Sequence, residues 1–467
     1  MNLVVVLLCM AGGAALVVSI GGLKRLRWAH LATYGSPLLL LSLRNYTGSW
    51  HASATFAALE LSLVVGYCGA LLESRRKRTN RGRKQRRARR AQVPAVVTFV
   101  GLLSAYHFYK VGIPILSGDP EHARLVIGAS GLFGLPSRMY LYGTFVACAL
   151  AVSDAWRRQI PVTRDKWVRV AFAVLVATRL LSGFKSGVFQ AFLFGLLIFI
   201  VGSNGIPLRR NLWRFVIIAA IASSAVFLVG ATYQSYRSAG TSLWSSLERR
   251  VTTQSAAGVA VVIADPRLHL GDNRPALVMD EEYLVNEYSH LGSPHPYGFT
   301  RLVAADLSGS NPSTDVAIAP VTTSGAGELF YDFRYGAILV LMLWGVIIAK
   351  VEKIGAVARA RPLAFSAACT FLQMSLDVVS KGDTVYQILN WTLTFLFLTG
   401  FAVVLRALRT FPRSTPSARP GHTSWSPTAS ASDSTDGGTK IDLGNSLSSD
   451  HSPRADDPWG ADSRRRP

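Results

Sequence analysis

Glu328, Asp332 and Arg334 stand together in "SGAGELFYDFRYGAILVLMLWG", within about two helical turns of one another and directly before a long apolar run. A carboxylate at such an entrance either accepts a proton from a hydroxyl or favours the N-terminus of the helix that follows. The chemical role is favoured for Glu328, and the capping role, on the run beginning at Tyr335, for Asp332. Basic side chains recur at similar boundaries. "KVGIPILSGDPEHAR" carries Lys110 and Arg124 beside Asp119 and Glu121, Arg138 precedes another run, and Lys185 tips the tight turn in "LLSGFKSGVF". Arg179 lies inside an apolar run, about a turn and a half from that tip. A central arginine costs on the order of 3 kcal/mol, whereas one near a helix end reaches the interface or pairs with an acid at equal depth, here Glu60 or Asp377. Arginine forks suit phosphate, and a diphosphate engages several at once. The glycines at Gly183 and Gly187 would let a phosphate approach the turn.

The elements that must position these groups are apolar runs. Half of the residues are hydrophobic and 16% are charged. The runs are Asn2 to Ile20, Leu31 to Leu43, Thr55 to Leu72, Val93 to Phe108, Met139 to Ala155, Val168 to Leu181, Val188 to Ser203, Phe215 to Thr232, Tyr335 to Ala349, Leu363 to Val379 and Thr384 to Leu405. They predict an all-α, polytopic integral membrane helix bundle of about eleven transmembrane helices, the short second run being the one that could instead be interfacial or re-entrant. Lysine and arginine concentrate in alternate gaps: "KRLR", "SRRKRTNRGRKQRRARR", "WRRQIPVTRDK", "PLRRNLWR" and "KVEKIGAVARAR". The positive-inside rule makes those gaps cytoplasmic, with the N-terminus outside, the C-terminus cytoplasmic and one large extracytoplasmic loop from Tyr233 to Arg334. The first run is read as a retained helix, because its charges Lys24, Arg25 and Arg27 follow the apolar stretch instead of preceding it. Residues 73–92 form a basic cytoplasmic loop, and residues 406–467, rich in Ser, Thr, Pro, Asp and Gly, form a disordered tail. The expected location is the cytoplasmic membrane.

A formal net charge of +22 raises nucleic acid as a partner. The basic residues sit between apolar runs without interleaved aromatics, so membrane lipid headgroups and topogenic charge explain them, and no nucleic acid is expected. Cys9, Cys68, Cys148 and Cys369 all fall in apolar runs and predict no disulfide. His290 and His295 lack a third ligand at recognisable spacing, so no metal is expected. "MDEEYLVNEY", Met279 to Tyr288, reads as hydration of the large loop and lacks the spacing of a calcium loop. "GASGLFG" follows no strand, which removes the dinucleotide reading, and no P-loop appears.

In order along the outer side come "GIPILSGDPEHAR", "LLSGFKSGVFQAFL", "YQSYRSAG", "GSPHPYGFTRLV" and "GAGELFYDFRYGAILV". With them the chain, from Asn2 to about Leu405, resembles the O-antigen polymerase (Wzy-type) or oligosaccharide repeat unit polymerase family. Two positions depart from its pattern: Lys185 stands where the turn carries Arg, and Arg334 where the family tends to Gly. The resemblance implies a membrane glycosyltransferase that polymerises polyprenyl-diphosphate-linked oligosaccharides on the outer face, without cofactor. Membrane lipids, and a chain-length regulator as a protein partner, belong to the same expectation. It assigns diphosphate binding to Arg124, Arg179, Lys185 and Arg237, and proton acceptance or acceptor orientation to Glu328 or His295. Acceptor binding falls to Tyr297, Phe299 and Arg301, where Tyr297 and Phe299 either stack on sugar or pack the loop. The competing readings are an O-antigen-type ligase and a lipid-linked glycan transporter or flippase, although no internal repeat of the transporter kind is visible.

Overall fold

The computed structural model describes residues 25–32, 50–76, 92–116, 134–183, 187–207, 257–258, 261–262, 274–289, 298–308 and 323–410. The runs expected at Asn2 to Ile20 and Phe215 to Thr232, and nearly all of the one at Leu31, lie outside them. So do Arg124, Lys185, Arg237, His295, Tyr297 and the tail. Contacts along the chain separate Met1–Phe411 from Pro412–Pro467, and every described residue belongs to the first unit.

The described residues are helical but for loops and one pair of two-residue strands. The helices are α1 (Trp28–Ala32), α2 (Trp50–Arg76), α3 (Val93–Val111), α4 (Leu135–Arg157), α5 (Lys166–Leu181), α6 (Gly187–Gly202), α7 (Ala276–Ser289), α8 (Phe299–Ser308), α9 (Ser324–Phe333), α10 (Ala337–Val357), α11 (Pro362–Lys381) and α12 (Thr384–Thr410). Strand β1 (Arg25–Leu26) pairs antiparallel with β2 (Ile206–Pro207). Among the described residues four helices are long and apolar enough to cross a membrane: Val93–Leu116, Leu135–Arg157, Pro362–Lys381 and Thr384–Leu408.

Local chemistry sets several boundaries. The Asp165 carboxylate accepts the Trp167 and Val168 N–H groups at 2.8 and 3.1 Å and so starts α5. Pro362 opens α11 at a position where its missing N–H costs nothing. Two expected boundaries move. Helix α2 runs to Arg76, inside the segment assigned to the basic loop, and α12 runs to Thr410, past the expected start of the tail. Within the segment assigned to the large loop the chain folds α7, α8 and α9, which share an apolar core of Ala276, Met279, Phe299, Leu302, Val303 and Tyr331.

Helices α2 and α10 touch backbone to backbone. A Cβ at Gly66 would lie 2.0 Å from the Met342 carbonyl oxygen, and one at Gly345 would lie 2.1 Å from that of Leu63. Reciprocal glycines of this kind let helices gain dispersion energy where lipid supplies no hydrophobic drive.

A polar knot ties the far end of α10. Glu352, fully buried, accepts from the Tyr67 hydroxyl at 2.5 Å, the Trp28 N–H at 3.2 Å and Arg27 Nη1 at 2.8 Å. At 1.5 Å per residue it lies about 22 Å along α10 from Ala337. Arg27 also reaches the Asn204 side chain at 3.4 Å, beside the β1–β2 pair.

Candidate functional site

Three carboxylates meet beyond the other end of α10. Asp280 comes from α7, Glu328 from α9 and Asp383 from the turn between α11 and α12, and an oxygen from each lies within 4.8 Å of the others. Each acid is fixed by a partner on another element. Thr384, the first residue of α12, donates its N–H at 2.8 Å and its hydroxyl to Glu328 Oε2. Phe299, the first residue of α8, donates its N–H at 3.2 Å to Asp280 Oδ1, while the Thr300 hydroxyl bonds Asp383. Two of these acids therefore cap helices they do not belong to, the arrangement that backbone donors and the helix dipole favour.

Capping uses only half of each of those two carboxylates. Glu328 Oε1 and Asp280 Oδ2 are buried without a donor, although the two side chains come within hydrogen-bonding reach. Ionised carboxylates offer acceptors alone, so the pair needs a proton or a cation between them. Burial pushes Glu328 up to about 8, with the Asp383 charge adding to it, and carries Asp280 well above the usual carboxylate range. Burial likewise raises Asp383 to about 6, against the lowering effect of Thr300 and Lys381. Asp383 is only half-buried and forms the accessible edge of the cluster.

Unusual backbone surrounds the acids. Asp383 and Ser324 adopt left-handed conformations at φ 51° and 61°, and Gly382 at φ 80°. A Cβ on Gly382 would sit 2.6 Å from Thr323 Oγ1, and one on Gly325 would sit 2.9 Å from the Val378 carbonyl. Gly325, the first glycine of "SGAGEL", thus lets α9 lie against α11, the packing from which Glu328 reaches Thr384. Arg334, at φ 52° and ψ −132°, holds a shape that glycine takes without strain. Arg334→Gly is expected to raise stability by about 1 kcal/mol, less what the guanidinium gains over the Phe330 ring, read from thermal unfolding of the purified protein.

Several expected roles change. Glu328 is not an exposed group at a mouth: it is fully buried, and of the three acids only Asp383 is half-buried. Asp332 caps a helix, but a different one, accepting the N–H groups of Ala276 at 2.6 Å and Leu277 at 3.1 Å at the start of α7. Phe299 is buried with its ring 4.7 Å from that of Tyr331, so it packs the loop and presents no face to a sugar. Arg301 is half-buried on α8.

Arg179 is 3% exposed, too enclosed to present a fork to a ligand. It donates to the Leu141 carbonyl in the wide π-turn Met139–Gly143, lies 4.5 Å over the Phe145 ring, and Gly187 leaves room for its chain. Of the two acids expected beside it, Asp377 acts on its charge, and Glu60 is buried with Oε1 unbonded. Asp377 in turn binds Lys381 Nζ at 3.0 Å and Trp391 Nε1 at 3.1 Å. Lys381 links this basic cluster to Asp383.

The acidic stretch at Met279 does not simply hydrate the loop. Asp280 and Met279 are buried while Glu281 is exposed. The spacing held a signal for this, because Asp280 falls on the stripe Ala276, Met279, Tyr283 of an amphipathic helix, where a lone carboxylate is out of place. For Asp383 the signal was the "KGDT" turn, a glycine and an aspartate that both tolerate positive φ. Comparison with protein-family models, with curated proteins and with solved structures gives no match in any of the three.

Proposed function

We propose that the protein is a membrane-embedded glycosyltransferase that polymerises polyprenyl-diphosphate-linked oligosaccharides at the outer face of the cytoplasmic membrane. The observation that carries the reading is the buried carboxylate cluster with an accessible edge at Asp383, joined through Lys381 to the basic network of Asp377 and Arg179. Transfer of a glycan from a lipid diphosphate needs a group to take the acceptor hydroxyl's proton and cations to steady the departing diphosphate. Asp383 takes the hydroxyl's proton and releases it at the accessible edge, while Glu328 and Asp280 behind it, kept protonated by burial, exchange protons with it and poise it for that step. Arg124, Lys185 and Arg237 bind the diphosphate. Arg179, enclosed as it is, positions the outer ends of α4 and α11.

Contacts at the two ends of α10 support the sidedness. Arg27, Asn204 and Glu352 belong to gaps assigned to the cytoplasm by charge, and they meet one another. The acids at the other end come from gaps assigned outside. In cells lacking the gene, glycan sizing is expected to show single repeat units accumulating outside, with long chains restored by the intact gene. Normal chain lengths would remove the reading.

Coupled buried acids also suit a proton- or cation-driven transporter of lipid-linked glycan, the second reading. In that case the units accumulate on the cytoplasmic side.

A further inference from the structure

A cation would satisfy what the capping bonds leave open. Glu328 Oε1 and Asp280 Oδ2 are each the free half of a carboxylate whose other oxygen is anchored by a backbone N–H, from Thr384 and from Phe299. The anchors fix both orientations before any ligand arrives, as second-shell hydrogen bonds do in metal sites. Asp383 adds a third carboxylate, and one oxygen from each of the three lies within 4.8 Å of the others. When a metal displaces their protons, the acids carry negative charges that Lys381, already paired with Asp377, offsets only in part. A divalent ion cancels them.

We propose that Asp280, Glu328 and Asp383 form a binding site for a hard divalent cation of the calcium class. The donor set contains oxygen alone, which disfavours zinc and copper and favours calcium, magnesium or manganese. Size separates these. Two oxygens on one calcium ion can lie up to about 5 Å apart, while magnesium holds opposed oxygens at about 4.2 Å and demands a near-octahedral shell. Separations within 4.8 Å fall inside the span of a calcium shell, whose variable coordination also tolerates donors set by the fold. Water completes the shell, entering past the half-buried Asp383. The site stands on this geometry and does not need the polymerase reading.

The test uses the full-length protein, purified in detergent, stripped with a chelator and dialysed to equilibrium against radioactive calcium at neutral pH, with magnesium as competitor. About one calcium per chain is expected, displaced poorly by magnesium. Asp280→Asn and Glu328→Gln are each expected to weaken binding about tenfold or more, and Glu281→Gln, an exposed neighbour on α7, to leave it unchanged. Variants are compared only where circular dichroism and elution match the parent, and Asp383→Asn, at the half-buried edge, serves if both buried variants fail that screen. No saturable binding by the parent, or full affinity in the acid variants, overturns the proposal. Calcium bound by a protein whose Glu328→Gln variant still polymerises would remove the polymerase role and keep the site. Lost polymerisation with no calcium bound would do the reverse.

Discussion

Glu328→Gln is expected to abolish long-chain glycan, lowering polymer yield by about a hundredfold or more, while the protein folds and accumulates normally. The two halves of that expectation have separate causes. Burial holds Glu328 up to about 8, so near neutrality the folded protein already favours the uncharged acid, and glutamine reproduces its size and its acceptor for Thr384. Stability should change by no more than about 1 kcal/mol. Glutamine cannot exchange a proton with Asp383 or Asp280, and on the proposed reading that exchange is what poises Asp383 to take the hydroxyl's proton. Glu328→Asp, which can still carry a proton but falls short of Thr384, should recover part of the yield. The measurement is glycan sizing in cells that express each variant at the parent level. Normal chains from Glu328→Gln would end the assignment of this cluster to proton transfer.

Glu352→Ala is expected to produce the largest loss of stability, about 3 to 5 kcal/mol, from a position far from the acids. Its carboxylate answers three donors at once: the Tyr67 hydroxyl, the Trp28 N–H and the Arg27 guanidinium. Removing it strands the first two in a dry interior and leaves a largely buried positive charge. Glu352→Gln still accepts from Tyr67 and Trp28 and loses only the charge on Arg27, so it should cost about half as much. Thermal unfolding of the purified variants checks both numbers. A change below about 1 kcal/mol for the alanine variant would show that water reaches this knot.

The helical runs were legible because apolar length alone marks them: those beginning at Thr55, Val93, Met139, Val168, Val188, Tyr335, Leu363 and Thr384 are all helices, with ends moved by a few residues. Glu328 drew attention in the sequence by its place just before an apolar run, and its burial in the cluster shows it meeting other acids there. Its partners did not stand out. Asp280 hid in an acidic stretch whose next member, Glu281, is exposed, and Asp383 stands in a short turn about fifty residues from Glu328 in sequence. Asp332 was assigned to the next helix in the chain because sequence shows neighbours in order and hides neighbours in space; its true partner begins at Ala276. The enclosure of Arg179 depends on a π-turn in α4, a register change that apolar periodicity does not reveal.

The chain order of the three acids has a consequence for biosynthesis. Asp280 meets its Phe299 donor early, but Glu328 leaves the ribosome well before Asp383 and Thr384, so in a nascent chain it lacks its Thr384 donors until α12 has begun to be made. The cluster would then be completed late and all at once, with the last helix and not before it.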